Sequence, residues 1–260
     1  MSKKTKKKIE ESGKNIITIQ EYLGNTDSAE YYVPDVQNYE NTETDKNKDE
    51  YLFILESPHT EEVNNKYPLA GNSGKAVTKF LFGDTVSNAF GKLVEKKAKI
   101  LETKYIKIMN ISNVPLQKTD KNEAEYNALE KKLKALRKPN ASSEKDGFDC
   151  LLDLFTKKLG TFLKTRDSKQ NNIYIFVFGA TAINYFEQAI NEQTIKGHLD
   201  NNLYDIIYFP HPSMSNWTNK RKMKYKENLP ILKKEFDPLY LLPSERMNQT
   251  FQITFTIKQI

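Results

Sequence analysis

"IYIFVFGATAINYFEQAI", residues 173–190, decides the fold. Ile173 to Phe178 is an apolar run without alternation, the pattern of a strand buried on both faces. Gly179 ends the run, and "GATAINYFEQAI" behind it reads as a helix entered through a glycine. Working outward, the pattern repeats. Tyr51 to Leu55 reads as a buried strand, Tyr105 to Asn113 as another, and Leu203 to Phe209 as a fourth that ends at Pro210-His211-Pro212. Between the strands, Ser73 to Lys99 carries Ala76, Val77, Phe80, Leu81, Val86, Phe90 and Leu93 at helical spacing, broken near Gly83. "NEAEYNALEKKLKALRK", Asn122 to Lys138, is strongly amphipathic and stops before Pro139; a further helix runs from about Phe148 to Thr165. Strands alternating with helices predict an α/β protein, a three-layer αβα sandwich with a central four-stranded, mostly parallel sheet.

This domain is expected over residues 51–240. Residues 1–50 read as a partly disordered N-terminal extension, in which "IITIQEYL" fits either a short strand or a helix. Residues 241–260 read as a C-terminal β extension. There Phe251, Ile253, Phe255 and Ile257 alternate with polar residues, as in an edge strand pairing within the domain, with a partner protein or with a second copy.

Composition narrows the function classes. The 260 residues include one cysteine, Cys150, which excludes an intramolecular disulfide, a thiolate zinc cage and an iron–sulfur cluster held by several cysteines. No metal or cofactor is expected. The basic start, "MSKKTKKKIEESGK", has no apolar segment behind it, and the apolar run 173–182 is far short of the roughly 20 residues of a membrane span. An intracellular, cytoplasmic protein is expected. The net charge of +6 favours polyanionic partners. Lys3, Lys4, Lys6, Lys7 and Lys8 form one basic cluster, and Lys220, Arg221, Lys222, Lys224 and Lys226 form a second.

Ligands of open parallel sheets collect at the carboxyl ends of the strands. Those ends carry Glu56-Ser57-Pro58-His59, Asn110-Ile111-Ser112-Asn113, Gly179-Ala180-Thr181 and His211-Pro212-Ser213. An acid, an amide and a histidine thus converge on one edge from three strands.

These segments carry a resemblance. "ILESPHTEE" followed by "YPLAGNSGKAV" resembles the first motif of the uracil-DNA glycosylase superfamily, in the variety of its iron–sulfur members. Glu56, Ser57, Pro58, Glu61, Glu62, Pro68, Gly71, Ser73 and Gly74 match in order. "MNISNV" is similar to the family's strand ending in Thr-Asn-Val, "FVFGATA" to its Leu-Gly-Ala-Thr-Ala turn, and "FPHPSMSNW" to its His-Pro-Ser segment. The match spans residues 51 to about 217. The cluster cysteines are absent, so the resemblance implies a cluster-free relative. Leu69 stands where relatives stack uracil on an aromatic ring, which points to a base other than plain uracil.

The resemblance implies a monofunctional DNA glycosylase that flips a deaminated or modified base out of single- or double-stranded DNA, in repair or in defence against foreign DNA. Glu56 would position water and favour an oxocarbenium-like sugar, and His211 would donate to the base carbonyl as charge develops. Asn110 would read a pyrimidine edge, with Asn113 a second candidate, and Leu69, Tyr67, Pro58 and His59 would line the base pocket. Ser57, Gly71, Ser73, Gly74, Ser213 and Ser215 would approach phosphates. Trp217, or Met214, would be the wedge beside the cations Lys220, Arg221, Lys222 and Lys224. His198 reads as a bland residue of a polar loop. Two competing readings are a DNA-binding or protein-interaction module that keeps the fold without catalysis, and a nucleotide hydrolase. The lack of G-x-x-x-x-G-K-[ST] and G-x-G-x-x-G counts against the hydrolase.

Overall fold

The computed structural model describes residues 17–24, 29–40, 48–138, 145–165, 173–200, 204–213, 217 and 224–236. The expected β extension at 241–260 and the basic cluster at Lys3–Lys8 lie outside these residues. The described chain is a three-layer αβα sandwich around a five-stranded, mostly parallel sheet. The elements, in chain order, are α1 (Ile19–Leu23), β1 (Val36–Gln37), β2 (Glu50–Leu55), α2 (Thr60–Asn65), α3 (Asn72–Phe82), α4 (Phe90–Glu95), β3 (Tyr105–Asn110), α5 (Glu123–Leu136), α6 (Lys145–Lys164), β4 (Ile173–Phe178), α7 (Ala180–Ala189), α8 (Gln193–Asp200), β5 (Tyr204–Phe209) and α9 (Leu229–Phe236).

The sheet order is β1-β3-β2-β4-β5, with β1 antiparallel and the other neighbours parallel. From β2 the chain steps outward to β3, then crosses back to β4 on the other side. Right-handed crossovers demand that these two steps use opposite faces. Accordingly α3, α4 and α9 cover one face, where Tyr51, Phe53, Phe176, Phe178 and Phe209 point, and α1, α5, α6 and α7 cover the other, over Leu52, Ile54, Ile175 and Val177. On the first face Phe53, Phe178 and Phe209 stack in sequence, with centroids 5.4 and 5.0 Å apart. Each buried ring contributes about 1.5–3 kcal/mol, which helps fix the register of β2, β4 and β5.

The fifth strand is the short β1. Residues 17–24 and 29–40, expected to be an extension, are built into the domain. Thr18 closes a capping box with Glu21 that starts α1, and Tyr22 of α1 is fully buried, its hydroxyl donating to the Pro115 carbonyl at 2.6 Å. "IITIQEYL" is therefore helical in its second half. The apolar pattern at 73–99 is two helices, α3 and α4, broken at Gly83, whose φ is +73°.

Candidate active site

Strand order reverses at β2, the place where open parallel sheets form a ligand-binding crevice outside the carboxyl ends of their strands. Glu56 is the first residue beyond β2. Its carbonyl accepts the Ser112 N–H at 3.2 Å, which ties the turn after β2 to the turn after β3. The carboxylate forms an ion pair with the Nε of Arg137, the residue that caps α5. The Glu56 side chain is 15% exposed and that of Arg137 37%, so the arginine is the more open of the two. Two hydroxyls fix the end of α5 there. Thr181 Oγ1 donates to the Arg137 carbonyl at 3.0 Å, and the Tyr185 hydroxyl to that of Leu136 at 3.3 Å. Thr181 belongs to the "GATA" turn read from the sequence. Arg137 was absent from the sequence-derived residue set.

Gly179, after β4, has φ +87°, a region that favours glycine, and its N–H donates to the Phe209 carbonyl at 2.9 Å. A Cβ there would stand 3.3 Å from the Cβ of His211, so the glycine lets His211 lie directly over the β4 end. Burial lowers the His211 pKa, opposed by Glu56 and assisted by Arg137. His59 lies within electrostatic reach of the same three groups. It keeps solvent exposure at the rim, yet the protein around its ring lowers its pKa, ahead of the effects of His211, Glu56 and Arg137. Two neutral imidazoles therefore flank one carboxylate at neutral pH.

Asn110 ends β3 directly beside Leu55 of β2 and is 1% exposed. Its side-chain Nδ2 is buried without a hydrogen-bond partner among the described residues. An orphaned buried donor costs about 1–3 kcal/mol, and most such groups in proteins are satisfied. The backbone behind it is held by Lys158 of α6, whose ammonium donates to the Asn110 carbonyl and, at 2.7 Å, to Asn113 Oδ1, and pairs with Asp35 at 3.4 Å. Burial lowers the Lys158 pKa, with Asp35 opposing. Asn113 also donates to the Val33 carbonyl at 2.7 Å and to Asp35 at 3.2 Å. Asn113 is thus a structural tie to the 29–40 segment, and Asn110 is the amide left over.

The loop from Ser57 to Gly74 behaves differently from the reading of its motif. Ser57 is buried and its hydroxyl accepts the Leu116 N–H at 3.4 Å, so it braces the turn after β3 and does not face a phosphate. Pro58 is buried, its carbonyl accepting from Gln117 at 3.1 Å. Leu69 is 2% exposed, inside the aromatic-rich core, and offers almost no surface for a base to stack on. Tyr67 is half-buried near Glu95, the last residue of α4, and Lys96, which caps it. Gly74 is buried, and a Cβ there would stand 1.8 Å from the Leu69 carbonyl oxygen; its smallness admits the chain's own turn, not a phosphate. Gly71 and Ser73 sit half-buried at the start of α3, whose N-cap lacks a side-chain hydrogen bond.

Glu62 holds this loop. Its buried carboxyl accepts the N–H of His59 at 2.7 Å and of Leu69 at 2.6 Å. Burial pushes its pKa from 4.5 up to about 7, against the effect of those two donors. A folded-state pKa above the unfolded one means that the stabilising proton is fully in place below pH 4.5 and lost as pH rises through about 7. The contribution amounts to about 3 kcal/mol. Denaturant unfolding at pH 5 and pH 8 should show wild type losing more stability between the two than Glu62→Gln. Equal losses in the two proteins contradict the assignment.

Beyond β5, Ser213 is half-buried and its carbonyl accepts the Trp217 N–H at 3.0 Å. Trp217 is 5% exposed, packed edge-on to Phe80 at 5.0 Å and over Phe178, with its Nε1 donating to the Pro210 carbonyl at 3.4 Å. It is a core residue that anchors the His211 turn, which corrects its assignment as an exposed wedge. Lys224 is exposed, its ammonium over the Tyr225 ring. Met214, Ser215, Lys220, Arg221 and Lys222 lie outside the described residues. His198 belongs to α8 rather than to a loop, and lines a groove of about 610 Å³ between α6 and α8 whose lining does not include Glu56.

Among the described residues no three His, Cys, Asp or Glu side chains are grouped to hold a metal ion, and no helix is long and apolar enough to cross a membrane. No protein-family model matches the chain, and no curated protein matches it.

Proposed function

We propose that the crevice at the ends of β2, β3 and β4 is the active site of a cytoplasmic, cofactor-independent DNA glycosylase acting on a deaminated or modified base. The observation that carries this reading is that Glu56 and His211 lie within electrostatic reach of each other where strand order reverses, while the neighbouring strand β3 ends on the buried Nδ2 of Asn110, unpartnered among the described residues.

Hydrolysis breaks the bond between C1′ and the base nitrogen and sends its electron pair to the base. Water adds to C1′ and gives its proton to the Glu56 carboxylate, which releases it to neutralise the base anion. Glu56 orients that water and stabilises the cationic sugar. His211 donates a hydrogen bond to the base oxygen where negative charge grows. A lowered pKa suits this role, because the neutral imidazole donates without first losing a proton to the leaving group. Asn110 donates to an acceptor on the edge of the extruded base, and its buried amide is then satisfied. The two neutral histidines and the Glu56–Arg137 pair leave the crevice floor near electrical balance, so a carboxylate can work beside a polyanion.

The reading is tested by incubating the protein with single- and double-stranded oligonucleotides bearing uracil, hypoxanthine, xanthine or bulky modified cytosines, and scoring alkali-labile sites. At least one base should yield them. His211→Ala should slow their formation by about 10²–10³-fold with little change in oligonucleotide affinity. Comparable losses of rate and affinity remove His211 from the chemistry. Tight binding with no alkali-labile site on any substrate favours the non-catalytic module instead.

A further inference from the structure

We infer that Arg137 is a strand-binding residue, its free guanidinium edge gripping a phosphodiester of the nucleic acid while its Nε holds Glu56. This assignment rests on the reading of the crevice as a base-excision site and names the contact that brings the strand to it.

A guanidinium presents five N–H donors along two usable edges, and a single edge suffices for a bidentate contact with carboxylate or phosphate. In this structure Arg137 spends Nε on the Glu56 carboxylate. Its terminal nitrogens have no hydrogen-bond partner among the described residues, and the side chain is 37% exposed. A contact made through Nε leaves the edge between the two terminal nitrogens available to a ligand.

Three features make this edge a built contact. The carbonyls of Leu136 and Arg137 are gripped by Tyr185 and Thr181, so the helix end cannot drift. The ion pair with Glu56 restrains the side chain further, so less of its rotamer freedom remains to be lost on binding. Lastly, Glu56 faces a chain with one negative charge per ~1.7 Å of duplex axis, and would repel it without a cation alongside. A neighbouring cation that only neutralised Glu56 needs no exposed donors. Arg137 is 37% exposed and keeps its terminal nitrogens out of the contact with Glu56. The next residue, Lys138, is exposed and adds a second positive charge beside it in the chain.

The test is equilibrium binding to a duplex and to a single strand carrying a tetrahydrofuran abasic site, which cannot be excised, followed by fluorescence anisotropy across a salt series. Arg137→Gln should bind about tenfold more weakly at low salt, and the slope of log affinity against log salt should become shallower by about 0.9 on duplex and 0.7 on single strand. Arg137→Lys keeps the charge but loses the fork, so it should restore the slope while binding more weakly than wild type. Thermal unfolding of both variants establishes that they fold, and Lys carries the test if Gln does not. A slope unchanged in Arg137→Gln overturns the inference, whatever happens to base release. A reduced slope in a protein that releases no base sustains the strand contact and sinks the hydrolytic reading instead. Wild type that binds neither oligonucleotide overturns both.

Discussion

Glu56→Gln should lower the rate constant for base release by about 10²–10⁴-fold, the range of a positioned general base, while oligonucleotide affinity holds or rises. The substitution is isosteric, and its amide oxygen can still accept from the Nε of Arg137, so the turn after β2 keeps its shape. What disappears is the negative charge. Water is no longer polarised, and the cationic sugar loses its nearest counter-charge. Affinity moves the other way because an uncompensated Arg137 faces the polyanion. Single-turnover release under saturating protein separates the two effects. A parallel fall in affinity and rate would mean that Glu56 holds the fold or the strand rather than the reacting water.

The largest effect on stability should come from Gly74→Ala or Gly91→Ala. Leu69 adopts a left-handed φ of +53°, and the turn it shares with Pro68 is wedged between α3 and α4. A Cβ on Gly74 would lie 1.8 Å from the Leu69 carbonyl oxygen, and one on Gly91 1.8 Å from that of Pro68. Both obstacles are backbone, so neither can swing aside. Either variant should lose about 3 kcal/mol or more, a fall in Tm of roughly 6–12 °C for a domain of this size. Gly197 in α8 is the control. Nothing stands within 4 Å of a Cβ there, and alanine is the better helix former, so Gly197→Ala should be neutral or stabilising by up to about 1 kcal/mol. Similar Tm values for Gly74→Ala and Gly197→Ala would contradict the wedge.

These glycines mark where the sequence misleads. Gly71, Ser73 and Gly74 read as a phosphate loop because small residues permit close approach, but a sequence does not say what approaches. At Gly74 it is the chain's own carbonyl. Trp217 misled in the same way. A tryptophan beside cations fits a wedge, yet its ring area is better buried against Phe80 and Phe178. The four parallel strands were legible because each is a short apolar run with a breaker behind it. The edge strand β1 was not, since two half-buried residues carry no periodicity.

Within the candidate site, Glu56, Asn110 and His211 were legible because each lies at or within two residues of a strand end. Arg137 was hidden by its setting. A cation in the last turn of a helix normally complements the helix dipole, and nothing local distinguishes one that reaches across to another strand's carboxylate. Lys158 was hidden likewise, as one of three lysines on α6 from Lys157 to Lys164.

The central claim, that this crevice hydrolyses a glycosidic bond through Glu56, is met most directly by mass spectrometry of free bases released from the oligonucleotide panel by wild type and Glu56→Gln. Release of at least one modified base by wild type, slowed about 100-fold or more in the variant, is the predicted result. Release at equal rates by both proteins, or no base from any oligonucleotide that the wild type demonstrably binds, would contradict it.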